Sequence, residues 1–402
     1  MTDDLMTRES PEAGTRKTIP AGLLSLLAAL ALTGVSVFVW TAISAPQEAW
    51  RIFLVNFLLC SGVVSGAVAL AAILEVSDAR WQRIVRPAAE SCAAALPAVL
   101  ALFLISALGR EVLFPWAADG SGVHKPWLNV GAIYLRGSLG LLILAAVGMA
   151  FARSSRSGTG SGAGSGTGSG NAAATRWLAI AYLIVFVLVS AMLAVDLLMA
   201  LDPHWYSSLF GGYYFAGNLY LGVAVATALA IAARRWLGSS DRMSREFQDR
   251  ARSNMGKMLF SFSMIWMYMV WSQLLPIWYG NLPQETGYVQ LRLATQPWQT
   301  LSYIVLLLNF VLPFVLLLPK AAKLNQQLLL GVALMVIAGT WIERFVLASP
   351  ELMSGNESVF GMRAIFITVG FSAGFLLLLL TSLRRVSILE MDSGSEAASG
   401  SE

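Results

Sequence analysis

Ten long apolar runs lie along this chain, near residues 21–45, 52–75, 87–108, 128–151, 177–200, 208–233, 255–279, 299–318, 327–347 and 360–381. A helix rising 1.5 Å per residue needs about 20 apolar residues to cross the hydrocarbon of a bilayer. Inside lipid the backbone must satisfy its own hydrogen bonds, so such runs are helices. Strands of a membrane barrel alternate in polarity over about 9–11 residues, which these runs do not. Charged residues are only 12% of the chain and hydrophobic residues 57%, whereas a soluble domain carries about 25% charge. The fold class is therefore all-α, a polytopic membrane protein with about ten transmembrane helices. The first run is too long for the apolar core of a signal peptide and no small-residue cleavage site follows it, so it reads as a retained span.

The runs divide the chain into a polar segment 1–20, spans one to four over 21–151, a linker 152–176, spans five to ten over 177–381, and a tail 382–402. The linker is Gly/Ser-rich, with Ser154–Asn171 almost wholly Ser, Gly, Thr and Ala. It reads as a flexible cytoplasmic loop that separates a four-span front from a six-span rear. The acidic, Ser/Gly-rich tail reads as disordered. Of the 27 Lys and Arg residues, Arg51, Arg110, Lys125, Arg292, Arg344 and Arg363 fall on one side and Arg136 within a span, which leaves 20 for the side of the termini. The positive-inside rule then puts both termini in the cytoplasm. The two cysteines, Cys60 and Cys92, sit inside apolar runs, and no CxxC, haem-attachment or zinc spacing occurs. The chain offers no recognisable redox centre or metal site of its own, and its modest, one-sided charge suits a membrane protein rather than a nucleic-acid partner.

An ionisable group in a span costs at least about 2.5–3.5 kcal/mol at the helix centre and needs an explanation. Arg136, Asp196, Glu343 and Arg344, with the polar Gln273, all fall in the outer halves of their spans. Asp202 and His204 lie in the adjoining loop, in the corner Leu201–Asn218. Arg136–Asp196 and Arg344–Asp202 are candidate ion pairs. Adjacent Glu343 and Arg344 point about 100° apart and are expected to take separate partners. Asp202-Pro203 is also an ordinary helix start, with Asp as cap and Pro at the first turn. His204 is a candidate proton acceptor, or simply a hydrogen-bonding loop residue. Glu75, Glu90 and Lys257 lie near the cytoplasmic ends of their spans, as interface anchors or as the mouth of a proton path through Asn56 and Asn309. Tyr206, Trp278 and Tyr279, with Gln273, are quinone-proximal candidates, although aromatic residues there equally suit a membrane belt.

With these residues on the page the chain resembles a known family. Leu201–Gly211 with Tyr213–Gly217, Met255–Phe262, Trp271–Thr286 and His124–Asn129 resemble the F subunit (ActF-like) of alternative complex III, a relative of the NrfD and polysulfide-reductase membrane anchors. The resemblance covers about Trp116–Leu347. It implies four-helix-bundle arrangements and a place in the bacterial inner membrane, inside a quinol:cytochrome c or acceptor oxidoreductase of the electron transport chain. It implies partners: a paralogous NrfD-like C subunit, an iron–sulfur subunit, c-type cytochrome subunits, surrounding lipids and a terminal oxidase. Haem and iron–sulfur clusters would sit in those partners and quinol would bind in the complex, with nothing covalently held by this chain. Its own part would be structural and proton-conducting. Asp196, His204 and Glu343 would relay protons while Arg136 holds a carboxylate in its charged form. Two other readings stay open at this point, a ten-helix secondary transporter and a purely architectural membrane subunit.

Overall fold

The computed structural model describes residues 20–79, 82–117, 127–160, 168–237, 245–353 and 359–399, without side chains for 82–84, 157–160, 168–171, 234–237, 245–248 and 385–399. Among the described residues there are helices and no strand. Ten helical segments are long and apolar enough to span a membrane: Ala21–Ser44, Pro46–Val76, Val85–Leu113, Val130–Arg156, Ala172–Leu201, Phe210–Ala233, Asp249–Gly280, Trp298–Leu317, Gln326–Leu352 and Met362–Arg384. We number them as the first to the tenth span. Each matches one of the apolar runs.

Two four-helix bundles make the body of the molecule. Spans two to five close one ring, in which the second packs on the third and fifth and the fourth on the third and fifth. Spans six to nine close the other. The second and sixth spans meet where the rings join, and are 89% and 78% buried. The first and tenth pack on each other outside the rings; the first is only 11% buried, so its flank is left for lipid. This arrangement corrects the division expected at the linker. Residues 152–176 do not part a front from a rear, because the fourth and fifth spans on either side of them pack together within one ring. Helix also runs into the linker from both sides, to Gly160 and from Gly168. Ser154 and Thr175 share a hydrogen bond of 2.6 Å across its base. Residues 161–167 lie outside the described residues, as do 1–19 of the polar segment. The tail expected to be disordered from 382 is instead continuous with the last helix, Met362–Ser399. Leu389, Glu390 and Met391 are good helix formers and nothing there breaks the turn.

The centre is tight because small residues meet there. A side chain on Gly66 would come within 2.0 Å of the Asn218 carbonyl, and one on Gly222 within 2.1 Å of Gly66 itself. The second and sixth spans thus touch backbone to backbone, the usual device where helices cannot rely on the hydrophobic effect for association. The prolines leave local marks. Pro97 follows a 3₁₀ turn, Cys92–Ala95, and Pro313 follows a π turn, Leu307–Val311, that bends the eighth span around buried Asn309. Both re-form the backbone ladder near a residue with no N–H to give. Replacing Gly66 by Leu forces these spans apart and should cost at least the 1–3 kcal/mol or so of an overpacked core. A thermal melt of the full chain in mild detergent checks it; an unchanged melting temperature would contradict the contact.

Candidate functional site

Alternation of the spans gathers the expected polar residues at one end of the bundles, around the corner Leu201–Asn218. They form separate clusters there, the deepest centred on Glu343 in the ninth span. One of its carboxylate oxygens, Oε1, accepts from the Tyr213 hydroxyl and from Trp266 Nε1 at 2.9 Å. Arg344 Nη1 lies 3.9 Å from the other oxygen, Oε2. Both side chains are almost wholly buried, at 4% and 1% exposure. The two neighbours share no hydrogen bond and take separate partners, as their divergence along the helix leads one to expect, although their charged atoms stand 3.9 Å apart. Their Cα–Cβ bonds diverge, but a flexible arginine reaches back along the helix. Arg344 also takes a partner of its own, donating from Nη2 to Asn218 Oδ1 at 2.8 Å and lying 4.3 Å from the Tyr214 ring centre. It does not pair with Asp202.

The second cluster is the expected Arg136–Asp196 pair. Arg136 Nη2 donates to Asp196 Oδ1 at 2.8 Å and Nε to Oδ2 at 3.2 Å, a two-pronged match that fixes the guanidinium plane. The same arginine donates to the Trp127 carbonyl and lies 4.2 Å from the Trp127 ring centre. Asn129 caps the start of the helix that carries Arg136, accepting from Gly131 N at 2.9 Å. The loop before the fourth span is thereby tied to the pair. His124 and Lys125 lie outside the described residues.

Asp202 and His204 do not behave as a helix start. No helix begins at Pro203; Asp202 Oδ1 accepts from the His204 backbone N–H at 3.1 Å, a tight Asx-type turn, and the next helix starts at Phe210. The His204 side chain is exposed. Asp196, His204 and Glu343 therefore stand in three different settings and do not form one hydrogen-bonded relay. Tyr206, also exposed, lines a shallow cavity of about 360 Å³ with Asp202, Trp127 and Trp205. Trp278 and Tyr279 are among the most exposed side chains, at 72% and 84%, as a membrane belt requires. Gln273 is different. It lines a mostly apolar cavity of about 330 Å³ between the seventh, eighth and ninth spans, and Glu343 lines the same cavity.

At the opposite end Glu75 and Glu90 come together through a residue not singled out from sequence. Arg86 bonds to the Glu75 carboxylate and, from Nε, to Glu90 Oε1 at 2.6 Å. Ser155 donates to the same Glu90 oxygen at 2.6 Å. Lys257 is not part of this group; it is exposed, with Asn254 Oδ1 at 3.4 Å. Between the two ends Asn218, Ser61, Ser65 and Ser190 line a small internal cavity of about 10 Å³, and Tyr182 donates to the Ser65 carbonyl at 3.1 Å. Asn56 is bound into the second span and to Thr368, while Tyr220 donates to the Asn309 carbonyl.

The sequence alone does not single out Tyr213, Asn218 or Arg292 as functional residues, and it leaves Trp266 between an aromatic belt and a ring-stacking site. Tyr213, Asn218 and Trp266 are aromatic or neutral and look like core or belt. Arg292 was counted as a surface charge, but it is 5% exposed. It donates to the carbonyls of Val346 and Leu347 near the end of the ninth span, to Tyr288 O, and to Glu351 at 3.4 Å. An arginine just after an amphipathic stretch and close to a helix C-terminus is the signal that was available. Trp205 stacks on Tyr288 at 3.7 Å, which closes the corner over the short helix Pro283–Leu293. Burial there pushes the Tyr288 hydroxyl above the usual tyrosine range, with Arg292 opposing and Glu351 and Asp202 reinforcing. Tyr288 stays neutral at physiological pH.

Among the described residues no group of three or more His, Cys, Asp or Glu could hold a metal ion. No protein-family model matches the chain, and no curated protein does. What the arrangement can do chemically is hold charge in a low-dielectric interior by hydrogen bonds and expose that charge to a cavity. Tyr213→Phe removes one of the two donors to Glu343. It should cost about 1.5–3 kcal/mol, the worth of a hydrogen bond to a charged group. A detergent melt that does not move would contradict the assignment.

Proposed function

We propose that this chain is a membrane subunit of a quinol-oxidising respiratory complex, the F-type subunit of alternative complex III, set in the bacterial inner membrane with both termini cytoplasmic. In this reading it supplies structure and a proton route, and haem and iron–sulfur clusters belong to the partner subunits. The observation that carries the reading is convergence. The corner 201–218 brings Tyr213, Tyr214 and Asn218 to the Glu343–Arg344 network. The segment 271–286 brings Gln273 and Ile277 to the cavity beside it. Trp127, from the stretch before the fourth span, holds Arg136. Segments far apart in sequence that carry the family resemblance thus border one polar end.

Two further features support a proton role. Buried carboxylates lie at both ends of the bundles, Glu343 at one and Glu90 at the other, each 4% or less exposed. Polar groups step inward from the first through Arg344 and Asn218 to Ser61 and Ser65. Intramembrane ionisable groups that face a bundle interior commonly mark proton or ion pathways. The chain has two described cysteines, both buried and free, so electrons in this reading travel through partners.

Purification decides it. An affinity tag on the full chain in its native membranes, solubilised gently, should bring down a second ten-span protein together with iron–sulfur and c-type haem proteins, and the haem should be reduced by added quinol. A chain that isolates alone, with no haem absorbance, contradicts the reading.

A further inference from the structure

We infer that the cavity beside Glu343 is a binding site for a neutral amphiphile that enters from the bilayer and donates a hydroxyl to the free oxygen of Glu343. This rests on the chain spanning a membrane and not on the complex proposed above.

Glu343 sets the chemistry. Its Oε1 already accepts from Tyr213 and Trp266. Its Oε2 is buried and carries no hydrogen bond within the described residues; Arg344, 3.9 Å away, is too far to supply one. A buried acceptor without a donor costs about 1–3 kcal/mol, more when charged, so a partner that donates there is favoured. The rest of the cavity is almost wholly apolar, with a volume of about 330 Å³, within the range in which small-molecule sites fall. Charged ligands fit poorly. A cation would meet Arg292 at the wall, with Arg344 close behind Glu343. An anion would meet Glu343, and Arg292 has committed four hydrogen bonds to Val346, Leu347, Tyr288 and Glu351. A neutral hydroxyl meets neither objection.

The route follows from the lining. Trp271 and Tyr303 belong to both the wall and the outer flank of their spans, at 52% and 57% exposure. An opening on the flank of membrane-spanning helices faces hydrocarbon, so the ligand arrives from lipid and needs an apolar body. Room for that body exists next door. A second cavity of about 430 Å³ shares Trp271, Leu274, Ile277, Val289 and Leu293 with the first. The hydroxyl headgroup sits at Glu343 and the tail leaves along the short helix Pro283–Leu293. Gln273, on the same wall, is placed to meet a second polar group of the headgroup. A hydroxylated ring such as a quinol and an uncharged lipid with a free hydroxyl, such as a diacylglycerol, share this chemistry.

The test uses the full chain in nanodiscs and three probes, decylubiquinol, its dimethyl ether and dioleoylglycerol, an uncharged lipid with one free hydroxyl, with bound ligand counted by native mass spectrometry. The account expects one molecule bound per chain. Decylubiquinol should bind at least about tenfold more tightly than the ether, which keeps the ring and tail but has no O–H to give. Glu343→Gln should lose that preference, and Val270→Trp, which puts an indole into the cavity from its seventh-span wall, should lose binding altogether. Saturable dioleoylglycerol binding that both variants abolish, with no quinol binding, assigns the same site to lipid. Equal affinity for the quinol and its ether overturns the proposal, even if neither variant folds. Binding of no probe overturns it outright, whether or not the chain joins a larger complex.

Discussion

A carboxylate buried among apolar helices has no water to solvate it, and the interior must replace what water would give. At Glu343 the donors are a tyrosine hydroxyl from the sixth span and an indole N–H from the seventh, while the guanidinium of the next residue in the ninth stands 3.9 Å away as counter-charge. The two donors come from different helices. Charge burial is therefore also a statement about where spans six, seven and nine must stand. Moving any one of them by an ångström or two leaves the carboxylate short of a donor. Arg344 extends the constraint, because its bond to Asn218 sits where the sixth span meets the second. The side chain of Asn218 presses on Gly62, and its carbonyl on Gly66.

The close approach of the second and sixth spans is the other half of the same design. Backbone contact at Gly66 and Gly222 lets the two rings join without a layer of large side chains between them. The polar groups of both rings then lie near a common centre. At the far end Arg86 plays a part like that of Arg344, holding Glu75 and Glu90 together inside the first ring. The molecule thus keeps charge at two depths, each balanced locally. Beside the mostly apolar cavity that Glu343 lines, the balance is incomplete, with one buried carboxylate oxygen unmatched among the described residues.

Much of this was legible in the chain. Ten apolar runs dictate ten helices because lipid leaves the backbone no alternative, and the helices stand where the runs do. The Arg136–Asp196 pair was one of two candidates on sequence, and only the packing separates it from Arg344–Asp202, which does not form. What sequence could not show was the lateral order of the spans. A Gly/Ser linker looks like a boundary between units, yet the fourth and fifth spans pack beside each other across it. For the same reason the partners of Glu343 were hidden. Tyr213 and Trp266 are common membrane residues, and only the arrangement of three spans makes them donors. Asp202-Pro203 failed as a helix start for a local reason: the aspartate bonds to the backbone of His204 in a turn, and Phe210, buried against Trp205, begins the helix instead.

The central claim is that Glu343 and Arg344 are held as one buried unit. The most direct test is a double-mutant cycle on the full chain in detergent, read as unfolding free energy. Removing one member of a buried ion pair costs about 3–5 kcal/mol, while replacing both leaves no uncompensated charge. Arg344→Met alone should be severely destabilising, and Glu343→Gln with Arg344→Met should recover most of that loss, a coupling of more than about 1 kcal/mol. Losses that simply add would contradict the account.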